Sequence, residues 1–96
     1  MTSQLIYVSS CPVCGDGLCR IRVCEKDQRL AGMVLCDECE ALWTDPTMTQ
    51  RVLRKAGDMD PICPSTGQSV WGEQSRWANV GEICLLGWFG GVKIAA

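Results

Sequence analysis

No histidine occurs among the 96 residues. That absence removes the commonest general base and the commonest imidazole metal ligand, so any metal site has to be built from sulfur, carboxylate or backbone groups. Tyrosine and phenylalanine appear once each. Cations are few: nine lysines and arginines against eleven acids give a formal charge of −2. Proteins that wrap nucleic-acid backbone are usually basic, so this balance, with a pI near 4.9, argues against that role. Long apolar runs are missing too. The one near the start covers residues 5–8, too short for the core of a secretory leader and far too short to span a bilayer. The apolar end, ICLLGWFGGVKIAA, is broken by Gly87, Gly90 and Gly91 and carries Lys93. The expectation is a cytoplasmic chain with no membrane association, in a compartment where thiols stay reduced.

What the chain does have is cysteine, eight in all, together with four tryptophans. With 47% apolar and 21% charged residues it has the composition of a folded domain. A chain this short buries a limited core, so a metal or disulfide staple matters to its stability. Six of the eight cysteines fall within residues 1–45. Cys11-Pro12-Val13-Cys14-Gly15 and Cys36-Asp37-Glu38-Cys39 each carry the C-x2-C spacing, in which a tight turn aims both thiolates at one cation. Pro12 fixes a backbone angle inside the first turn, and Gly15 tolerates the unusual conformation that follows it. The segment between the pairs reads as a β-hairpin. Residues 18–25 alternate, with Cys19, Ile21 and Val23 on one side and Arg20, Arg22 and Cys24 on the other. Residues 26–28 supply a polar turn and 29–35 a returning strand.

Two such turns at the ends of a hairpin complete a tetrahedron of sulfur. Four thiolates with no open position describe a structural zinc site, one Zn2+ per chain, held by Cys11, Cys14, Cys36 and Cys39. Residues 5–43 accordingly resemble the zinc-ribbon family, in which two knuckles and a three-stranded β unit enclose one zinc. That resemblance implies metal binding without naming a function, since zinc ribbons serve many roles. A disulfide framework is the competing use of these cysteines, disfavoured by the expected compartment. The Cys11–Cys14 pair also resembles the redox motif of thioredoxin-like proteins, but Gly15-Asp16-Gly17 would break the helix that motif requires. Rubredoxin is similar as well, holding one iron between two knuckles; here Glu40 stands where glycine would be expected after the second.

The other cysteines are read as small hydrophobes. Cys19 and Cys24 are separated by roughly 17 Å along a strand and point to opposite faces, so they cannot share an ion. Cys19 is expected in the core, Cys24 on the more exposed face, and Cys84 packed inward from a helix. Cys63-Pro64-Ser65-Thr66-Gly67 repeats the first knuckle at Cys, Pro and Gly, with Thr66 in place of the second ligand. It is either a decayed knuckle or a coincidence of a Pro/Gly loop, and a working second zinc site there is the weaker alternative.

Residues 45–57 predict a helix, with Asp45 as N-cap, Pro46 in the first position, and an apolar stripe of Met48, Val52, Leu53 and Ala56. Asn79 predicts a second, short helix over 80–86, with Glu82 completing a capping box and Gly87 ending it. Residues 69–71 read as a short strand. The expected organisation is a small α+β fold: a zinc ribbon over 1–45, a connecting helix over 46–57, and a tryptophan-rich portion over 58–96 packing back on the ribbon.

Catalysis finds little support. No Gly-rich phosphate loop is present, no histidine can activate a nucleophile, and a zinc saturated by sulfur leaves no position for water. The chain therefore reads as a non-enzymatic binding module for a protein partner. Trp71 and Trp77, with the basic residues Arg51, Arg54 and Lys55, are its candidate contact residues. The alternatives are a nucleic-acid-binding zinc ribbon using Arg20, Arg22, Arg51, Arg54 and Lys55, and a rubredoxin-like iron electron carrier.

Overall fold

The computed structural model describes residues 5–52 and 61–95. Its centre is a long antiparallel hairpin of β3 (Leu18–Lys26) and β4 (Arg29–Cys36), with Cys19 opposite Cys36 and Lys26 opposite Arg29. The two strands join through Asp27 and Gln28, both at positive φ (52° and 65°). A two-residue turn of that hand matches the right-handed twist of the strands it connects. On the free edge of β4 lie β5 (Leu42–Trp43) and then β6 (Arg51–Val52). On the free edge of β3, β2 (Ser9–Ser10) pairs with its first residues and β7 (Ser75–Trp77) with its middle. The result is a curled antiparallel sheet. A separate two-stranded ladder joins β1 (Leu5–Tyr7) to β8 (Lys93–Ala95), tying the two ends of the described chain together.

Among the described residues one helix, α1 (Val80–Leu86), and a single 3₁₀ turn (Phe89–Gly91) complete the small α+β fold. The local chemistry of α1 is as its sequence predicts. The Asn79 side chain accepts from the Glu82 N–H (2.8 Å), Glu82 accepts from the Asn79 N–H (3.1 Å), and Gly87 ends the helix at φ 76°. Glu82 also receives both a 2.9 Å hydrogen bond from Arg76 Nε and an ion pair from the same guanidinium. At only seven residues α1 depends on tertiary packing, which Ile83 supplies by full burial. Gly32 on β4 makes room for its far end: a Cβ there would meet Leu86 Cδ1 at 2.5 Å and the Trp88 ring at 2.9 Å. No helix among the described residues is long and apolar enough to cross a membrane.

Both faces of the central hairpin are buried. Cys19, Ile21, Val23 and Val34 pack with Trp43 and Ile83 on one side. Cys24, Met33, Leu35 and Leu42 pack with Cys63 and Val70 on the other. The second face was expected to be the wetter one, and two expectations change with it. Cys24 is fully buried instead of exposed, because residues 61–70 fold over it. Arg22 is buried too, its Nε donating to the Val70 carbonyl (2.8 Å) and Nη2 to Ser75 Oγ (3.0 Å).

Three further expectations are corrected. The helix predicted to start at Asp45 is absent over 45–52, and residues 53–57 of that prediction lie outside the described residues. Asp45 instead accepts hydrogen bonds from the N–H (2.9 Å) and hydroxyl of Thr47, Met48 takes φ 54°, and Arg51–Val52 pairs with β5. The strand predicted at 69–71 is reduced to a single bridge between Ile62 and Ser69, and the strand of this region is β7, six residues on. Cys84, expected in the core, is exposed; Ile83 takes the inward position of that turn.

Candidate metal centre

Each knuckle is a closed backbone ring. In the first, the Gly15 N–H donates to the Cys11 carbonyl (3.0 Å) and the Cys11 N–H to the Gly17 carbonyl (2.9 Å), with Gly15 at φ 74°. In the second, the Cys36 N–H donates to the Ala41 carbonyl (2.9 Å), and Glu40 takes the left-handed conformation (φ 64°) that glycine adopts more easily. Asp37 fastens this turn to the start of β3: its carboxylate accepts from the Leu18 N–H (2.9 Å), and its own N–H donates to the Leu18 carbonyl (3.1 Å). Because Cys19 pairs with Cys36 across the hairpin, both knuckles sit at the same end of the sheet.

This brings the four sulfurs of Cys11, Cys14, Cys36 and Cys39 within 4.8 Å of one another. Cys11 Sγ lies 3.7 Å from Cys39 Sγ, and Cys14 Sγ lies 3.7 Å from Cys36 Sγ. A tetrahedron with metal–sulfur bonds of about 2.3 Å has edges of about 3.8 Å. Both of these close pairs join one knuckle to the other, so the residues fit a single four-sulfur ion.

Backbone donors surround the cluster. The Val13 N–H points at Cys11 Sγ, the Gly17 N–H at Cys14 Sγ, and the Glu38 and Cys39 N–H groups at Cys36 Sγ, each at 3.4 Å. Such donors favour the thiolate form. For Cys11, burial works against ionisation, but the N–H groups of Cys14 and Val13 and the neighbouring thiols outweigh it and bring its pKa down to about 6. Burial is also the largest influence on Cys36 and prevails there, pushing its pKa up to about 12, and Cys39 is raised for the same reason. Like charges crowded into one site oppose one another, and a bound cation would offset that repulsion.

Two supporting residues escaped the sequence reading. Gly17 lies flat against the second knuckle: a Cβ on it would stand 2.7 Å from Cys36 Sγ and 2.8 Å from Glu38 Cβ. Asp37 acts through its contact with Leu18, nineteen positions away, which no local pattern reveals. Cys19 is a fifth sulfur, fully buried and in hydrogen-bonding contact with Cys11; burial first, then the charge of Cys11, drives its pKa far upward and holds the thiol protonated.

Of the candidate partner residues, the structure brings Trp71 and Trp77 together. Trp71 is 41% exposed and donates its indole N–H to Glu40, while Trp77 is half-buried and meets the Trp71 ring edge-on at 5.8 Å. Arg51 is exposed on β6, and Arg54 and Lys55 lie outside the described residues. Compared with protein-family models, curated proteins and solved structures, the chain gives no match.

Proposed function

We propose that this chain is a non-enzymatic, zinc-ribbon-like binding module of the cytoplasm, in which one Zn2+ held by Cys11, Cys14, Cys36 and Cys39 organises a surface for a protein partner. The observation that carries the reading is the pair of 3.7 Å sulfur–sulfur contacts between knuckles, at the edge length of a tetrahedral four-thiolate site. When bound, zinc supplies cross-linking and neutralises thiolate charge. The chain's own residues do the rest: Gly17 and the backbone N–H groups shape the sulfur cage, and Asp37 locks it to β3. With all four positions filled by sulfur, no position is left for substrate or water, which supports a structural role over catalysis.

A protein partner is favoured by what the surface displays. Leu85 is 82% exposed, and Val80, Phe89, Ile94 and Trp71 are also large apolar side chains in contact with solvent. The nucleic-acid reading loses support because Arg22 spends its donors inside the fold.

Elemental analysis with native mass spectrometry tests the metal assignment. One zinc per chain, with loss of the folded NMR spectrum on chelation, is the expected result. Iron in the purified protein, or a fold that survives a strong chelator, would overturn it. The partner class is tested by oligonucleotide titration at two salt concentrations: tight binding at low salt that collapses at high salt would replace a protein partner with nucleic acid.

A further inference from the structure

Arg20 and Arg22, two positions apart on β3, lie on one face of that strand. Their guanidinium carbons stand 4.3 Å and 4.9 Å from the centre of the Trp77 ring. Arg22 uses its donors on the Val70 carbonyl and Ser75 Oγ. Arg20 does not: its Nε is buried and has no hydrogen-bond partner. Among the described residues neither guanidinium pairs with a carboxylate; the ion pairs there join Arg76 to Glu25 and Glu82. Among the described residues, two cations without a counter-charge therefore share one indole.

Beside Arg20 opens a pocket of about 300 Å³, walled by Trp77, by Asn79 and by the apolar side chains of Ile6, Ile21, Ala78 and Val80. A cavity with apolar walls and a few convergent polar groups, here Arg20 and Asn79, is the usual form of a small-ligand site. We propose that this pocket binds a carboxylate carried on an apolar body, with the Arg20 guanidinium as the group that holds the carboxylate. A guanidinium presents a planar fork that matches a carboxylate, and the walls match the hydrocarbon behind it. The Trp77 ring is already covered by two guanidiniums and meets Trp71 edge-on, so it is poorly placed to stack a nucleobase. The pocket is separate from the four-sulfur centre, and this assignment does not depend on which ion that centre holds.

The test uses the full, metal-loaded chain titrated with phenylacetate, its neutral amide and inorganic phosphate, followed by tryptophan fluorescence and amide NMR. A peptide ending in a free leucine carboxylate, and the same peptide amidated, complete the set. Phenylacetate is expected to saturate with shifts at Arg20, Ile21 and the Trp77 indole, and the amide to bind roughly tenfold or more weakly. Arg20→Gln should abolish that difference. Val80→Glu, at an exposed wall position, should repel the acid while leaving metal content unchanged. Tighter binding of the free-ended peptide than of phenylacetate would identify a chain terminus as the source of the carboxylate; binding of phenylacetate alone would identify a free organic acid. Equal binding of acid and amide, preference for phosphate, no response to any probe at millimolar concentration, or full acid binding by both variants would overturn the assignment.

Discussion

Gly17 and Cys36, nineteen positions apart, are packed so closely that a single methyl on the glycine would reach within 2.7 Å of the Cys36 sulfur. The second knuckle therefore depends on the first presenting nothing but hydrogen to it. Gly17→Ala is expected to push the Cys36 thiolate off the tetrahedron, at a cost of about 1–3 kcal/mol as for other overpacked sites. Competition with a chromophoric chelator should show metal affinity falling by roughly tenfold or more on that scale. Gly15→Ala is the matched control. Its Cβ meets nothing within 4 Å, so it should cost fold stability through its positive φ without a comparable selective loss of metal affinity. Equal metal affinity in wild type and Gly17→Ala would refute the packing argument.

The turn of the central hairpin offers a change in the opposite direction. Asp27 and Gln28 both hold positive φ, a conformation in which Asn-Gly and Asp-Gly are the preferred pairs. Gln28 is exposed, so replacing it loses no core contact. Gln28→Gly is expected to stabilise the metal-loaded chain by about 0.5–1 kcal/mol, the relief of left-handed strain less the added freedom of glycine when unfolded. Urea denaturation at fixed metal concentration measures it, and a destabilised variant would count against the turn as described.

What was legible in the sequence and what was not divides by distance along the chain. The knuckles, the hairpin and the capping box at Asn79 are set by residues within a few positions of one another, and each formed where expected. Asp45-Pro46 carried a true local signal as well, since Asp45 does accept a backbone N–H, but two residues on, from Thr47, as in an Asx turn. Val52, read as part of a helical stripe, pairs with Leu42 as the neighbour of a strand. Cys24 and Arg22 were misplaced for a related reason. A strand alternating between apolar and cationic residues normally has one wet face, and only the fold-back of residues 61–77 shows that this one does not. The β1–β8 ladder pairs Leu5 with Ala95, a partnership with no local trace.

Burial of Cys24 makes stability depend on alkaline pH. Burial first, and its neighbour Cys63 second, push the Cys24 thiol up to about 12 from an ordinary value of 9.0. A group whose folded pKa is raised contributes stability that is fully present below the unfolded pKa and is lost as pH rises through the folded value. The stabilisation from holding this proton is thus complete below pH 9 and declines toward pH 12, with a slope of at most about 1.4 kcal/mol per pH unit. Cys24→Val replaces the thiol with a side chain suited to a strand and to its neighbours Met33, Leu35 and Val70. Denaturation between pH 9 and 11 should show a shallower decline for this variant than for wild type. Parallel curves would mean that Cys24 does not titrate in this window.

The loop at Cys63 tests whether a knuckle's backbone can exist without its metal. The Gly67 N–H donates to the Cys63 carbonyl at 2.9 Å with Gly67 at φ 75°, reproducing the ring closed by Gly15 and Cys11 at 3.0 Å and 74°. Thr66 occupies the position that Cys14 holds in the first knuckle, and both Cys63 and Thr66 lie within hydrogen-bonding reach of the Cys24 thiol. The turn is thus already shaped for chelation and lacks a ligand, not a conformation. Thr66→Cys would place three thiols around one point, enough for a tetrahedral ion completed by water. The variant is expected to take up a second equivalent of Co2+ or Cd2+ with new thiolate charge-transfer absorption, while wild type stops at one. Stoichiometry fixed at one in both chains, with the variant folded, would show that Cys24 and Cys63 cannot turn toward a shared ion. The likeness of the two turns would then be one of backbone alone.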